Sequence, residues 1–301
     1  MALGKSPVWV GALLALSASG CGGGSGGVAS GEDAGVDAAQ SDTDSDTDPY
    51  DEWIHLFDYD AAAPLDVQVI STAQQDGIEI RGMTYLGALD PVPAYLVVPP
   101  GEGPFAGVVF LHWGGGSRAE FLDEAVEIAA RGAIGLSIDA PWNRPDPVPT
   151  TPDEAGIQII VDVRRGVDLL VSLAEVDPAR LAFVGHSFGA SRGGVLAGVE
   201  KRFSTFILMT GYGRPSVYDG ASAPGAFMDG VYYVGHAAPS SLLFQFASSD
   251  EYITEAQALE FYDPASEPKE IQWYDAGHML NADARTARTD WLVAQLGLTP
   301  P

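Results

Sequence analysis

Short runs of β-branched and aromatic residues alternate with amphipathic stretches along the chain from about residue 60. This alternation is typical of a mostly parallel sheet covered by helices on both faces. It predicts an α/β fold with a central sheet of about eight strands. Candidate strands are 67–72, 78–86, 94–98, 107–112, 134–138, 181–185, 206–209, 242–247 and 270–274. The first three have no helix between them, so we expect an antiparallel lead-in.

Two helix starts carry local capping signals. Ser117 and Glu120 have the spacing of a capping box, and so do Thr151 and Glu154, with Pro152 at the first helical position. The stretch after Thr151 carries apolar residues at helical spacing. They are Ile160, Val163, Val167, Leu170 and Leu173. This stripe predicts a helix packed against the core rather than a binding surface.

The first 20 residues have the pattern of an export signal. Lys5 supplies a positive charge, and residues 8–16 form an apolar stretch too short to cross a membrane as a helix. The sequence Ala18-Ser19-Gly20-Cys21 follows and resembles the lipobox of bacterial lipoproteins, although that family usually has Leu where Ala18 stands. The resemblance implies lipidation of Cys21. The alternative is an ordinary cleaved signal followed by an unmodified thiol.

Residues 21–60 form an acidic, low-complexity segment with no Lys or Arg, which we expect to be an extended tether. Residues 61–301 are then the catalytic domain. The chain would be exported and anchored by its lipid to the bacterial cell envelope, at the outer membrane or cell surface, with no other membrane contact. A formal net charge of -26 argues against any nucleic-acid partner.

The most informative motif is Gly185-His186-Ser187-Phe188-Gly189, which lies between a predicted strand and a helix. This is the pattern of a nucleophile elbow, in which the serine sits on a sharp, strained turn. The hydroxyl of Ser187 then projects at a helix N-terminus, where the helix dipole favours developing negative charge. The motif predicts a catalytic serine.

A serine nucleophile needs a base, and the base needs an orienting acid. His278 follows the last predicted strand and is the candidate base. Asp250 comes just beyond the end of the strand at 242–247 and is the candidate acid. Glu251 competes with it, but neighbouring side chains of an extended loop point in opposite directions, so only one of them can face His278.

Acyl transfer also needs amide donors for the oxyanion. One expected donor is the backbone N–H of Phe188, directly after the nucleophile. The glycine-rich loop after the strand at 107–112 supplies the other, from Gly114 or alternatively Trp113. Without the elbow, the same loop would be an ordinary strand-to-helix turn.

Residues 64–297 resemble the α/β-hydrolase fold, especially the branch with dienelactone hydrolase-like proteins and acetyl xylan esterases. The matching pieces are 111–115, 162–168, 177–180, 185–189, 243–250 and 276–278. Dienelactone hydrolase has a cysteine where this chain has Ser187, so the resemblance implies ordinary esters rather than lactones. It implies no metal and no organic cofactor.

Aromatic residues on loops beyond the strand ends are candidates for the substrate pocket. They are Trp113, Trp142, Tyr212, Phe227, Tyr232 and Tyr252. The segment 211–240 is rich in Gly, Ala, Pro and Tyr and is a candidate partial lid.

The leading hypothesis is a serine carboxylic-ester hydrolase acting on a small-molecule or surface-accessible ester. An amidase or small peptidase with the same triad is the first alternative. A surface binding protein with an inactive hydrolase fold is the second, and the complete set of catalytic residue types disfavours it.

Overall fold

The computed structural model describes residues 49–148, 150–214 and 225–299. In this part of the chain, nine strands form one sheet. The strands are β1 (Gln68–Gln75), β2 (Ile78–Leu86), β3 (Pro91–Val98), β4 (Phe105–Leu111), β5 (Ala133–Ile138), β6 (Val176–His186), β7 (Thr205–Met209), β8 (Ser241–Ala247) and β9 (Lys269–Tyr274). The signal segment, Cys21 and most of the predicted tether lie outside the described residues.

Helices connect or flank most of these strands. The α-helices are α1 (Tyr50–Trp53), α2 (Leu122–Ala129), α3 (Pro152–Ser172), α4 (Phe188–Val199), α5 (Val231–Val234), α6 (Glu255–Tyr262) and α7 (Ala282–Leu296). Short 3-10 helices are Ile54–Phe57, Pro141–Asn143 and Ala226–Met228. Among the described residues, no helix is long and apolar enough to cross a bilayer.

The strand order across the sheet is β1-β2-β3-β5-β4-β6-β7-β8-β9. The first strands pair antiparallel, and β3 is also antiparallel to β5. From β5 to β9 every neighbouring pair is parallel. The predicted mostly parallel sheet and its antiparallel lead-in are confirmed.

Two apolar layers cover the sheet, one on each face. Alternate residues of one strand enter different layers, as Val109 and Phe110 do in β4. The larger layer contains buried side chains of α3, α4, α5 and α6, and the smaller one contains those of α2 and α7. The predicted stripe on α3 lies in the larger layer, where Val163, Val167 and Leu170 are fully buried.

The folded part begins earlier than the predicted boundary at residue 60. Tyr50 in α1 donates a hydrogen bond from its hydroxyl to the carbonyl of Gly198, at 2.8 Å. Phe57 is fully buried, and Arg164 donates to its carbonyl at 2.7 Å. The residues at the end of the acidic segment are thus held by apolar burial and by an arginine of α3, which composition alone does not reveal.

The two capping signals have different outcomes. At Thr151 the capping box is formed with Glu154, as predicted. At Ser117 the prediction is wrong, because α2 starts only at Leu122 and has no side-chain cap. The carboxylate of Glu120 instead binds two groups from other parts of the fold, His186 and the amide of Trp113. A tertiary contact has replaced the local one.

Candidate active site

The predicted nucleophile, base and acid all follow the carboxyl ends of parallel strands. Ser187 comes directly after β6, Asp250 lies shortly after β8, and His278 lies shortly after β9. Loops at this edge of a parallel sheet converge, which is why ligand sites of α/β folds are found there.

The elbow places Ser187 in a backbone conformation that non-glycine residues rarely adopt. Its φ is 54° and its ψ is -109°. The amide of Ser187 donates to the carbonyl of Met209 at 2.7 Å, which anchors the turn to β7. A side chain at Gly185 would collide with the backbone of Gly189, and one at Gly189 would collide with Leu111. The two glycines therefore let strand and helix approach closely, and the surrounding structure holds Ser187 in its strained conformation.

The structure brings Ser187, His278 and Asp250 together in one hydrogen-bonded chain. Nε2 of His278 lies 2.7 Å from Oγ of Ser187. Nδ1 of His278 lies 3.0 Å from both carboxylate oxygens of Asp250. The imidazole and the carboxylate are 6% and 1% exposed, so this hydrogen-bonded chain is largely shielded from water.

The carboxylate of Asp250 is held in its ionised form. Burial opposes ionisation, but hydrogen bonds from His278 and from the amides of Tyr252 and Ile253 outweigh it and keep the pKa of Asp250 below its usual value. The two amides donate at 2.8 and 3.0 Å. An ionised Asp250 accepts a hydrogen bond from the Nδ1–H group, so Nε2 of the neutral imidazole is left as the acceptor that faces the hydroxyl of Ser187.

Glu251, the competing acid, does not contact the imidazole. Its carboxylate accepts a hydrogen bond from the backbone amide of His278 at 3.2 Å. The two neighbouring acids thus contact different parts of His278. Asp250 contacts the ring, and Glu251 contacts the main chain.

The backbone of Trp113 is fixed from both sides. Its amide donates to Glu120 at 2.9 Å. Its carbonyl lies 2.6 Å from Nδ1 of His112 and accepts from the amide of Gly116 at 2.9 Å. The amide of Trp113 is therefore already bonded to Glu120, which favours Gly114 as the oxyanion donor of this loop.

Gly114 remains the candidate donor of this loop. In a planar trans peptide the C=O of one residue and the N–H of the next point in opposite directions. Because the carbonyl of Trp113 points at His112, the N–H of Gly114 points away from that ring. A Cβ built on Gly114 would lie 3.9 Å from Cβ of Phe188, so the two candidate donors are neighbours. Within the described part of the chain, neither amide donates a hydrogen bond.

Two of the predicted pocket aromatics lie beside this site. The indole of Trp142 donates to the carbonyl of Gly114 at 3.0 Å and packs edge-on against Phe188, with ring centroids 4.4 Å apart. Tyr252 lies edge-on to the ring of His278 at 4.8 Å and is 65% exposed. Trp142 therefore lies beside the two candidate donors, and Tyr252 lies beside the imidazole.

The other predicted aromatics are placed differently. The indole of Trp113 folds over Gly115 and Gly116 of its own loop. Tyr212 is buried and its hydroxyl contacts Glu260, so it has the surroundings of a packing residue. Phe227 and Tyr232 pack against Phe57 and Trp53, respectively. Part of the candidate lid, residues 215–224, lies outside the described residues.

Sequence reasoning missed three side chains that support the site. His186 contacts the carboxylate of Glu120 through Nδ1, and its Nε2 lies 3.2 Å from the carbonyl of His278. Thr210 donates to the same carbonyl at 3.0 Å. The position of His186 within the elbow was a signal for one of them, but no local pattern links Glu120 or Thr210 to the base. Among the described residues, no three His, Cys, Asp or Glu side chains form a cluster that could hold a metal ion.

The chain is similar to known proteins in structure, but the sequence comparisons found no match. No protein-family model matches the chain, and no curated protein sequence matches it. The acetyl xylan esterase of Paenibacillus sp. R4 superposes with a TM-score of 0.70 and 22% identity over 84% of this chain and 95% of that one. Acetyl xylan esterase 1 of Thermoanaerobacterium sp. JW/SL YS485 has a TM-score of 0.68 and 16% identity over 82% and 93%.

An S-formylglutathione hydrolase of Agrobacterium tumefaciens is also similar, with a TM-score of 0.61 and 16% identity over 76% of this chain and 100% of that one. At these identities the likeness establishes the fold. It extends over most of each of the three solved chains.

Proposed function

We propose that this chain, which has the α/β-hydrolase fold, hydrolyses carboxylic esters through an acyl-enzyme on Ser187. The observation that carries the proposal is the hydrogen-bonded chain from Asp250 through His278 to Ser187, at 3.0 and 2.7 Å. The similarity to esterases supports the same reaction class. Geometry, protonation state and fold all point to acyl transfer.

In the first half of the reaction, Oγ of Ser187 attacks the ester carbonyl while Nε2 of His278 takes the hydroxyl proton. The carbonyl π electrons move onto its oxygen. When the tetrahedral intermediate collapses, the bond to the alcohol oxygen breaks and His278 gives its proton to that oxygen. The products are an alcohol and an acyl-Ser187.

In the second half, His278 removes a proton from water, and the resulting oxygen attacks the acyl carbon. Collapse releases the carboxylic acid and returns the proton to Ser187. Asp250 keeps the imidazole in the required tautomer and stabilises the imidazolium of each step without taking the proton itself.

The amides of Phe188 and Gly114 are the proposed donors to the oxyanion. Phe188 is the first residue of α4, so its N–H lies at the positive end of that helix. Donors of this kind stabilise the transition state more than the ground state, and losing one typically lowers kcat about 100- to 1,000-fold.

Short acyl groups are the proposed substrates. The indole of Trp142 lies against Phe188 and is bonded to the carbonyl of Gly114, so a bulky ring stands beside both proposed donors. Two of the similar structures described above are acetyl xylan esterases. We expect acetyl esters to be cleaved faster than long-chain esters.

A panel of p-nitrophenyl esters from acetate to palmitate tests the proposal, with p-nitroanilides of the same acids as the amide arm. Wild-type protein should release p-nitrophenol fastest from the short esters, and Ser187→Ala should release it no faster than buffer. Faster cleavage of the anilides would make the protein an amidase. No ester or amide turnover above that of Ser187→Ala would instead favour an inactive binding protein.

We also propose that Cys21 is lipidated and holds the enzyme at the cell envelope. This proposal rests on the export-signal pattern and the lipobox-like sequence before Cys21, which lie outside the described residues. In a bacterial host, wild-type protein should fractionate with membranes and Cys21→Ala should not. Equal membrane fractionation of the two proteins would refute the lipid anchor.

A further inference from the structure

His186 and His112 lie beside the site and differ in the hydrogen-bond partners of their ring nitrogens. His112 has one acceptor and one donor as partners, because Nδ1 faces the carbonyl of Trp113 and Nε2 accepts from the amide of Ala140 at 3.0 Å. A neutral imidazole satisfies both partners. Burial lowers the pKa of His112, in keeping with this neutral form.

His186 has an acceptor at each ring nitrogen. Nδ1 contacts the carboxylate of Glu120, and Nε2 lies 3.2 Å from the carbonyl of His278. The ring is 1% exposed, so water does not provide an alternative partner. A neutral imidazole has only one N–H and would leave one of the two contacts without a proton. An unpaired contact between two acceptors is costly when it is buried.

With Glu120 ionised, both protons must come from His186, so the two groups form an ion pair. An imidazolium donates from both nitrogens, one proton to Glu120 and one to the carbonyl of His278. The carboxylate of Glu120, which is 14% exposed, balances the charge and keeps its other oxygen for the amide of Trp113. Each group then has a partner of the correct type.

We propose that an ionised Glu120 and a doubly protonated His186 form an ion pair that positions the catalytic groups. The pair links the oxyanion loop, which carries Trp113 and Gly114, to the base loop, which carries His278. The inference rests on the proposed esterase function for its kinetic consequences but not for its protonation state. Through Trp113 the pair sets the direction of the Gly114 N–H, and through the carbonyl of His278 it sets the position of the imidazole.

Other hydrogen bonds also fix the main chain of His278 in the base loop. The carbonyl of His278 also accepts from Thr210, and its amide donates to Glu251. Thr210 is fully buried and has a φ of 44°, an unusual conformation for a β-branched residue. Backbone strain of this kind persists only where surrounding structure holds it. Of these three anchors, only His186 also connects to the oxyanion loop.

Nitrogen NMR of the full-length protein labelled with ¹⁵N-histidine tests the proton count directly. The chain has five histidines, and the signals of His186 are those lost in His186→Gln. Near neutral pH we expect both ring nitrogens of His186 to carry protons. A proton missing from either ring nitrogen of His186 would overturn the proposal whether or not the protein hydrolyses esters.

The variant Glu120→Gln removes the charge that balances the imidazolium. We expect His186 in this variant to lose one proton near neutral pH. We expect kcat for the best ester to fall about 10- to 100-fold, because displaced catalytic groups are costly, while KM changes much less. Glu127→Gln on α2 is the matched control, since Glu127 pairs with Arg131 and Arg285 away from the site.

The alkaline side of the pH profile separates positioning from simple packing. In wild type, kcat should fall at alkaline pH, when His186 loses one of its two protons. In Glu120→Gln this fall should begin at lower pH. In His186→Gln a neutral amide can donate to the carbonyl, so the same alkaline fall should be absent. Among the described residues, two titratable groups face the pair: His278, with its ring centroid 5.4 Å from that of His186, and His112, which lies near Glu120.

Identical pH profiles in wild type and both variants would overturn the positioning role. If Glu120→Gln does not fold, the NMR measurement on wild type and the profile of His186→Gln still decide the question. Failure of wild type to hydrolyse any ester would refute the proposed function while leaving the NMR result intact.

Discussion

Two clusters of buried and half-buried polar side chains differ in what their hydrogen bonds achieve. The active-site cluster consists of Glu120, His186, Ser187, Asp250 and His278. The α3 cluster consists of Tyr59, Arg164, Arg165, Asp168, Glu200 and Arg202. Both link segments that are far apart in sequence, and both contain charged groups shielded from water.

In the α3 cluster each acid faces arginine. Arg165 contacts Asp168 at 3.3 Å and donates to the carbonyls of Ala63 and Pro64 at 2.9 and 2.8 Å. Arg202 contacts Asp168 and Glu200, both at 2.6 Å. Burial opposes ionisation of Glu200, but its bonds with Arg202 outweigh it and lower the pKa of that carboxyl. This cluster fastens the segment before β1 to α3.

The active-site cluster differs because its hydrogen bonds converge on groups that retain chemical capacity. Ser187 is bonded to a base that can take its proton, and the nearby amides of Phe188 and Gly114 have no acceptor among the described residues. The comparison teaches that buried charge alone does not identify a functional site. Donors and nucleophiles that the fold leaves available do identify one.

The largest effect should come from removing the proposed nucleophile or base. Ser187→Ala and His278→Ala should each lower kcat by about a millionfold, with little further loss in the double variant, because triad members act as a unit. Steady-state kinetics on the best ester checks this. Losses that multiply in the double variant would mean that the two residues act independently and would break the comparison.

Substitutions of the two neighbouring acids should differ in their effect on kcat by several orders of magnitude. Asp250→Asn should lower kcat about ten-thousandfold, because the imidazole loses the partner that fixes its tautomer. Glu251→Gln should cost little, since a glutamine oxygen can still accept from the amide of His278. Both substitutions remove one negative charge, so each is the control for the other. A larger loss in Glu251→Gln would contradict the assignment of Asp250.

The α3 cluster should affect stability and not catalysis. Arg165→Met removes a buried guanidinium and leaves the carbonyls of Ala63, Pro64 and Leu86 without this donor. It should lower the free energy of unfolding by about 3 kcal/mol. Denaturant unfolding measures this loss. At a temperature where the variant remains folded, its kcat should equal that of wild type, and a large fall in kcat would erase the distinction between the clusters.

The smallest effect concerns acid stability. The folded pKa of Asp250 is lower than its unfolded value, so its stabilising hydrogen bonds are fully effective above the unfolded pKa, about 4, and are lost as pH falls through the folded pKa. Asp250→Asn should therefore lower Tm near neutral pH and differ less from wild type in acid. A Tm difference that stays constant from neutral to strongly acidic pH would contradict this linkage.

Activity should also depend on pH. Only an unprotonated Nε2 of His278 can accept the proton of Ser187, so kcat should fall in acid. A kcat measured against pH under conditions where the protein stays folded checks this direction. A rate that rises in acid would refute the role of His278 as base.

Local patterns predicted the sheet and the sites that follow its strand ends. The elbow was visible because Gly185 and Gly189 are required by close backbone contacts, and the α3 start was visible because Thr151 and Glu154 bond to each other. Glu120 shows the limit of such patterns. It has capping-box spacing after Ser117, yet its partners, His186 and the amide of Trp113, are brought to it by the fold.

Local patterns did not predict the placement of β5 between β3 and β4 either, because the order of strands in a sheet depends on pairing between strands that are distant in sequence. The same applies to Thr210 and Glu251, whose bonds to the main chain of His278 join different loops. Sequence spacing predicted which residue types carry the chemistry. It did not predict which side chains hold them in place.

The central claim is that the fold makes Ser187, and no other serine, a nucleophile. Wild type, His278→Ala and Arg165→Met should be treated with a fluorophosphonate, and the modified residue identified by peptide mass spectrometry. We expect one adduct, on Ser187, formed rapidly in wild type and Arg165→Met and orders of magnitude more slowly in His278→Ala. An unlabelled Ser187 in folded wild-type protein, or labelling at the same rate without His278, would contradict the account.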